Sequence, residues 1–118
     1  MAFETLAEGT LVADGTEQTI TEASEAMRLS GYVSLSEIQA GDSIVLRQYV
    51  ELSNTYKKYA EETYSGVQTN PVVYITPKES ASRLKITLEQ TAGASRSFAY
   101  KFIKETWVAA LPKATFKI

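Results

Sequence analysis

Cleaving a glycosidic bond needs two carboxylates facing each other across it, and Glu51, Glu61, Glu62 and Glu89 are the residues that could supply such a pair. No spacing fixes any two of them on one cleft, and Glu interleaved with Lys is the usual composition of a solvated face. Asp14 and Asp42 are the only aspartates, each beside a glycine, and no Asp-x-Asp-x-Asp spacing forms a calcium loop. Both read as turn carboxylates that bond their own backbone. Histidine and cysteine are absent, which removes the commonest general base, the commonest transition-metal ligand, every thiolate site and every disulfide. A serine nucleophile would then need a lysine base set in a pocket, and both Lys78-Glu79-Ser80 and Ser95-Arg96-Ser97 read as loops. The sequence thus predicts no catalytic residue, no cofactor and no metal, and the chain is expected not to be an enzyme.

Tyrosine is the more informative residue type. Tyr32, Tyr49, Tyr56, Tyr59, Tyr64 and Tyr74 fall on faces that side-chain alternation leaves wholly or partly exposed, and tyrosine offers an interface large rigid area plus one hydroxyl. Tyr56, Tyr59 and Tyr64 are interleaved with Lys57, Lys58, Glu61 and Glu62, a pattern expected of a rim that meets another subunit or a glycan. The competing reading is that strand tyrosines simply cover the outer sheet of a small sandwich. Trp107 reads as core or as a plug at the domain end. Phe116 belongs to Ala114-Thr115-Phe116-Lys117-Ile118, which has strand character after Pro112 and can dock on an exposed sheet edge. Tyr56, Tyr59, Tyr64 and Phe116 are therefore the candidate contact residues.

The elements that must position these residues are strands, because period-two alternation sends every second side chain into a core. In Arg83 to Glu89, Leu84, Ile86 and Leu88 oppose Lys85, Thr87 and Glu89. In Ser43 to Leu52, Ile44, Leu46, Val50 and Leu52 oppose Arg47 and Glu51, with Gln48 the one polar residue on the apolar face and Val45 and Tyr49 on the other. Leu29 to Leu35, Pro71 to Ile75 and Ser97 to Lys104 follow the same logic, the last with Phe98, Tyr100 and Phe102 on one side. Tyr56 to Tyr64 is expected to be extended after a turn at Asn54, and Thr16 to Ala23 extended rather than helical. Leu35 to Ala40 reads as a turn or one helical turn that packs Leu35 and Ile38 beneath a loop.

Asp14-Gly15 has the chemistry of a tight hairpin turn. Gly41-Asp42, Gly66, Asn70-Pro71, Pro77 and Ala92-Gly93 break the chain at intervals near the ~8 to 12 residues expected of a sandwich or barrel. Seven to eight strands without interleaved helices predict an all-β, antiparallel two-sheet sandwich, jelly-roll or immunoglobulin-like, with a small barrel second. The 118 residues suffice for one domain over 1–118, with 1–13 and 111–118 as edge strands or assembly arms. Charges are mixed and sum to −2, so no basic stripe suits nucleic acid. No apolar run approaches the ~18 residues of a membrane span, and the N-terminus lacks a basic region followed by an apolar stretch. A soluble protein made in the cytoplasm is expected.

The stretch Ser30 to Arg47, SGYVSLSEIQAGDSIVLR, resembles small β-sandwich structural proteins of viruses that infect archaea and bacteria. Tyr59 to Gly66, Pro71 to Pro77 and Leu84 to Gly93, followed by an aromatic strand, look like the same layout over about three-quarters of the chain. The resemblance implies a decoration, capsid-associated or tail component of a virion, made in the host cytoplasm. Its partners would be other copies of itself or a capsid or tail protein, and its work adhesion to a lattice through many modest contacts. No active residue carries over. A carbohydrate-binding or adhesion module, using the exposed tyrosines as a stacking platform for glycans, is the alternative.

Overall fold

The structure, a computed structural model, describes residues 2–80 and 82–106. It contains eight strands: β1 (Ala2–Val12), β2 (Glu17–Ala23), β3 (Met27–Ser34), β4 (Ser43–Leu52), β5 (Thr55–Ser65), β6 (Val72–Ser80), β7 (Leu84–Ala92) and β8 (Ser97–Thr106). Among the described residues there is no helix. The strands form two antiparallel sheets of four, ordered β1-β8-β3-β6 and β2-β7-β4-β5, the two-sheet order of a jelly roll. Only β4 and β5 are consecutive strands of one sheet, so every other connection carries the chain from one sheet to the other. The expected antiparallel sandwich is therefore what forms, in its jelly-roll version.

The core lies where alternation puts it, except at the end of β4, where the expected apolar residue Leu52 reaches the hairpin turn and is 57% exposed. Leu29, Val33, Phe98 and Phe102 of the first sheet meet Ile44, Leu46, Leu84, Ile86 and Leu88 of the second, and all are buried. Each such side chain contributes about 1.5–3 kcal/mol of burial. Leu35 and Ile38 close one end of this core from a turn, as the sequence predicts. Gly31 lies between Leu29 and Val33 on β3. A Cβ there would sit 2.4 Å from the Lys101 carbonyl oxygen and 2.5 Å from the Phe102 ring, so the missing side chain is what admits Phe102.

Three local expectations are corrected. Asp14-Gly15 does not close a hairpin, because β1 and β2 belong to different sheets; the turn carries the chain across the sandwich, with Asp14 accepting hydrogen bonds from Thr16 N and Oγ1. Among the described residues the one tight hairpin is at Ser53-Asn54, where both residues have positive φ, 54° and 63°, and Leu52 pairs with Thr55. Pro77 does not end a strand, nor is Lys78-Glu79-Ser80 a loop: all lie within β6. There, Gly31 pairs with Ile75 and Leu29 with Lys78, so Thr76 and Pro77 bulge opposite Ser30. An edge strand with a bulge tolerates a residue that has no N–H to give. Val45, though on the outward side of β4, is also buried between Thr63 and Glu89 on the flanking strands.

The turns at Gly41-Asp42 and Ala92-Gly93 turn out to touch. Asp42 is buried and accepts from Gln39 N at 2.8 Å and from Arg96 Nε at 2.7 Å. Gly93 lies so close that a Cβ would fall 1.8 Å from Asp42 Oδ1. The Arg96 hydrogen bond, then that from Gln39, hold the Asp42 carboxyl below its ordinary pKa. Gln90 completes this clamp, donating to the Ala92 and Ala94 carbonyls and accepting from Arg96 N.

Two glycines separate close packing from backbone freedom. Gly31→Ala is expected to cost about 3 kcal/mol, the upper end for overpacking a filled core. Gly66→Ala, where an added Cβ meets nothing within 4 Å but φ is +72°, is expected to cost about 1 kcal/mol of left-handed strain. Urea denaturation midpoints of the two variants test the order; equal losses would contradict the packing role of Gly31.

Candidate functional site

The tyrosines predicted to share a rim on β5 do not share a surface. A bulge in the β4–β5 pairing puts Gln48 opposite Ala60 and Tyr49 opposite Lys58, leaving Tyr59 as the extra residue. Tyr64, paired with Ile44, consequently turns inward and packs against the core. Tyr56, paired with Glu51, turns to the outer face. Tyr59 stays largely exposed and donates its hydroxyl to Gln48 Oε1 at 2.9 Å, which gives the polar residue on the apolar face of β4 its partner. Phe116 and Trp107 lie outside the described residues, as does the expected arm 111–118.

The outer face of the second sheet is a closed polar network. Arg47 stands at its centre, 2.8 Å from Glu89, 3.1 Å from Glu61 and 3.6 Å from Glu17. Tyr49 and Thr87 both donate to Glu17 Oε2, at 2.5 and 2.6 Å. Tyr56 donates to Glu22, which also takes Arg83 at 2.7 Å. The Lys85 ammonium lies 5.0 and 4.6 Å from the Tyr49 and Tyr56 ring centroids, within cation–π range. Lys58 meets Glu61 at 2.5 Å. The network thus gathers four basic side chains, Arg47, Lys58, Arg83 and Lys85, and four acidic ones, Glu17, Glu22, Glu61 and Glu89.

This network answers the question of a carboxylate pair. Glu61 and Glu89 do face one another, but with the Arg47 guanidinium between them. Hydrogen bonds from Lys58 and Arg47 lower the Glu61 pKa, so it has no proton to give at neutral pH. Glu51 lies opposite Tyr56 at the end of β4, accepting from Ser82 at 3.0 Å, and Glu62 lies with Tyr64. Among the described residues no cluster of three acidic side chains could hold a metal ion. The acids Glu17 and Glu22 and their partners Arg83 and Lys85 escaped sequence reasoning, since cross-strand register, which no single segment encodes, brings them together.

The outer face of the first sheet is different in kind. Tyr32 and Tyr74 are paired across β3 and β6 with ring centroids 5.1 Å apart, and they remain 54% and 49% exposed. Val72, 52% exposed, extends the same patch, and Phe3 and Val12 lie exposed at the two ends of β1. Neither tyrosine has a hydrogen bond to a charged partner comparable with those of Tyr49 and Tyr56. Beside them runs a shallow groove of about 480 Å³, lined by Tyr32 and Val72, by small residues such as Gly9 and Ala99, and by the charged Glu8 and Lys101. Small residues among large ones leave space for an inserted side chain. The alternation of β3 and β6 places Tyr32 and Tyr74 outward, but only the register makes them a pair.

The fold defines the class: an eight-stranded jelly-roll sandwich with an ion-pair network on one outer face and an exposed tyrosine pair on the other. No family model matches the sequence, and no curated relative matches it. Among solved structures, the chain is similar to the infectious bursal disease virus VP2 subviral particle, with a TM-score of 0.47 and 12% identity. The likeness covers 87% of this chain and 31% of that one, so the chain spans about a third of its length.

The network sets a pH dependence. Burial alone would raise Glu17, but hydrogen bonds from Thr87 and Tyr49 and the charge of Arg47 outweigh it and leave its pKa lowered. For Glu22 the Tyr56 hydrogen bond leads, and its pKa is also lowered. A carboxylate lowered on folding stabilises the folded state above its unfolded pKa of about 4.3, and that stability is lost as pH falls through the folded value. The melting temperature is therefore expected to hold near neutrality and to drop below about pH 4. Tyr49→Phe with Tyr56→Phe is expected to lower it at pH 7 and to shallow the acid drop. Parallel curves for the two proteins would show that the hydroxyls do not carry the effect.

Proposed function

We propose that this chain is a non-enzymatic structural subunit of a virion, a capsid, decoration or tail component, that works through contacts made by the outer face of its first sheet. The carrying observation is the asymmetry of the two faces. On the second sheet Arg47, Lys58 and Arg83 pair with four acids and Lys85 lies over the Tyr49 and Tyr56 rings, whereas Tyr32, Val72 and Tyr74 on the first sheet are exposed side by side. Exposed aromatic and aliphatic area of this kind marks a contact surface. The jelly roll is a rigid frame found in viral shells and in lectins, and with no histidine in the chain the metal chemistry that some jelly rolls carry lacks its usual ligand.

A second reading, a carbohydrate-binding module, draws on the same tyrosine pair, since two exposed rings beside a groove can stack on a sugar. The two readings differ in what substitution does. Tyr32→Arg with Tyr74→Arg is expected to leave stability within about 0.5 kcal/mol, as surface changes do, while abolishing the concentration-dependent assembly of the full chain in light scattering and negative-stain images. A wild-type chain that stays an inert monomer and is missing from purified particles would remove the shell reading. Micromolar binding on a glycan array that disappears in Tyr74→Ala would put the sugar reading in its place.

A further inference from the structure

Four strands stand at sheet edges, β1, β6, β2 and β5, and three carry the features that discourage pairing with another chain. β5 carries Lys57 and Lys58 along a bulged strand, β6 has Pro77 and Lys78, and β2 is seven residues long with a bulge. Lysine, proline, bulges and shortness are the usual means of blunting an edge. β1 is different: it runs 11 residues, contains no Lys, Arg or Pro, and its only charges are Glu4 and Glu8. A single bulge at Leu6 interrupts its pairing with β8.

Those two acids select what can lie there. A second β1, brought alongside in two-fold fashion, would bring glutamate towards glutamate, and like charges on facing strands repel. A strand bearing only basic charge is favoured instead. The chain has such a segment in residues 113–118, Lys-Ala-Thr-Phe-Lys-Ile, where Lys113 and Lys117 are the only charged side chains and Pro112 sets the boundary.

We propose that the outer edge of β1, which faces no strand among the described residues, receives residues 113–118 of a second copy as an added antiparallel strand, with Glu8 as the acid that holds its lysines. The inference rests on the shell reading and names the contact that would link one subunit to the next. Glu8 is exposed and faces the outer groove beside Lys101, whereas Glu4 lies 3.9 Å from Lys104. The donor is a neighbour for a geometric reason. β8 ends at Thr106, opposite Ala2 at the start of β1, so the chain's own tail would have to cross the end of β1 and then run parallel to it. Parallel pairing is weaker per residue, and a neighbour's tail can enter from the Val12 end and pair antiparallel. Strand addition of this kind gives affinity through main-chain hydrogen bonds and specificity through alternate side chains.

The absence of cysteine makes the test clean. Full-length Thr10→Cys and Thr115→Cys chains, cross-linked in the register that sets Lys117 opposite Glu8, are mixed and oxidised, and the products separated without reductant. A mixed dimer in excess over both homodimers is expected. Glu8→Lys in the Thr10→Cys chain is expected to reduce the mixed dimer about fivefold, the equivalent of ~1 kcal/mol for one cross-strand charge pair. Lys113→Glu with Lys117→Glu in the partner chain is expected to restore it. No mixed dimer, or a chain carrying both cysteines that closes on itself at high dilution, overturns the proposal. Assembly that survives Glu8→Lys but is lost in Tyr32→Arg with Tyr74→Arg would overturn this contact and leave the shell reading standing; no assembly of the wild-type chain would remove that reading itself.

Discussion

Everything in this molecule depends on two four-stranded sheets sharing a single apolar layer. Phe98 and Phe102 reach it from β8, Leu29 and Val33 from β3, and Leu84, Ile86 and Leu88 from β7. All the connections but one cross from sheet to sheet, so neither sheet can be completed before the other. With neither disulfide nor histidine-based metal site to staple the chain, this shared burial carries the stability, and Gly31 shows how tight the fit is. Such non-local pairing has to be closed across long stretches of chain, which slows folding relative to helical domains of the same size.

A rigid sandwich of this thickness has two outsides, and the sequence treats them unequally. On the second sheet Arg47, Lys58 and Arg83 find acidic partners within the sheet, and Tyr49 and Tyr56 are drawn into that network as hydrogen-bond donors. Their area and polarity are spent inside the molecule. On the first sheet Tyr32 and Tyr74 have each other and water, beside a groove lined in part by small residues. Rings that count equally in composition thus play opposite parts, and only the face on which each one falls tells them apart.

Much of the fold was legible because alternation is a local code. Leu84-Lys85-Ile86-Thr87-Leu88 states its buried face in five residues, and the aromatic spacing of β8 does the same. The boundary of β6 was misread because Pro77 looks like a strand end unless the strand is known to be an edge with a bulge at that point. Asp14-Gly15 was misread as a hairpin for a similar reason: turn chemistry fixes the backbone angles locally but not which sheet the next strand joins. The tyrosines of β5 read as one rim because they are interleaved with Lys and Glu, a composition that does not show the bulge at Tyr59, which sends Tyr64 inward and Tyr56 outward.

By itself the sequence determined the fold class, the core, the absence of histidine and cysteine chemistry, and the tyrosine-rich character of the surface, since each follows from residue type or from a period of two. The tertiary structure alone decided the jelly-roll order, the Arg47-centred network, the Tyr32–Tyr74 pair and the place of β1 at a sheet edge. These depend on which strands become neighbours and in what register. That choice is made by packing between segments far apart in the chain, and a one-residue shift in any of them would have turned a different set of side chains outward.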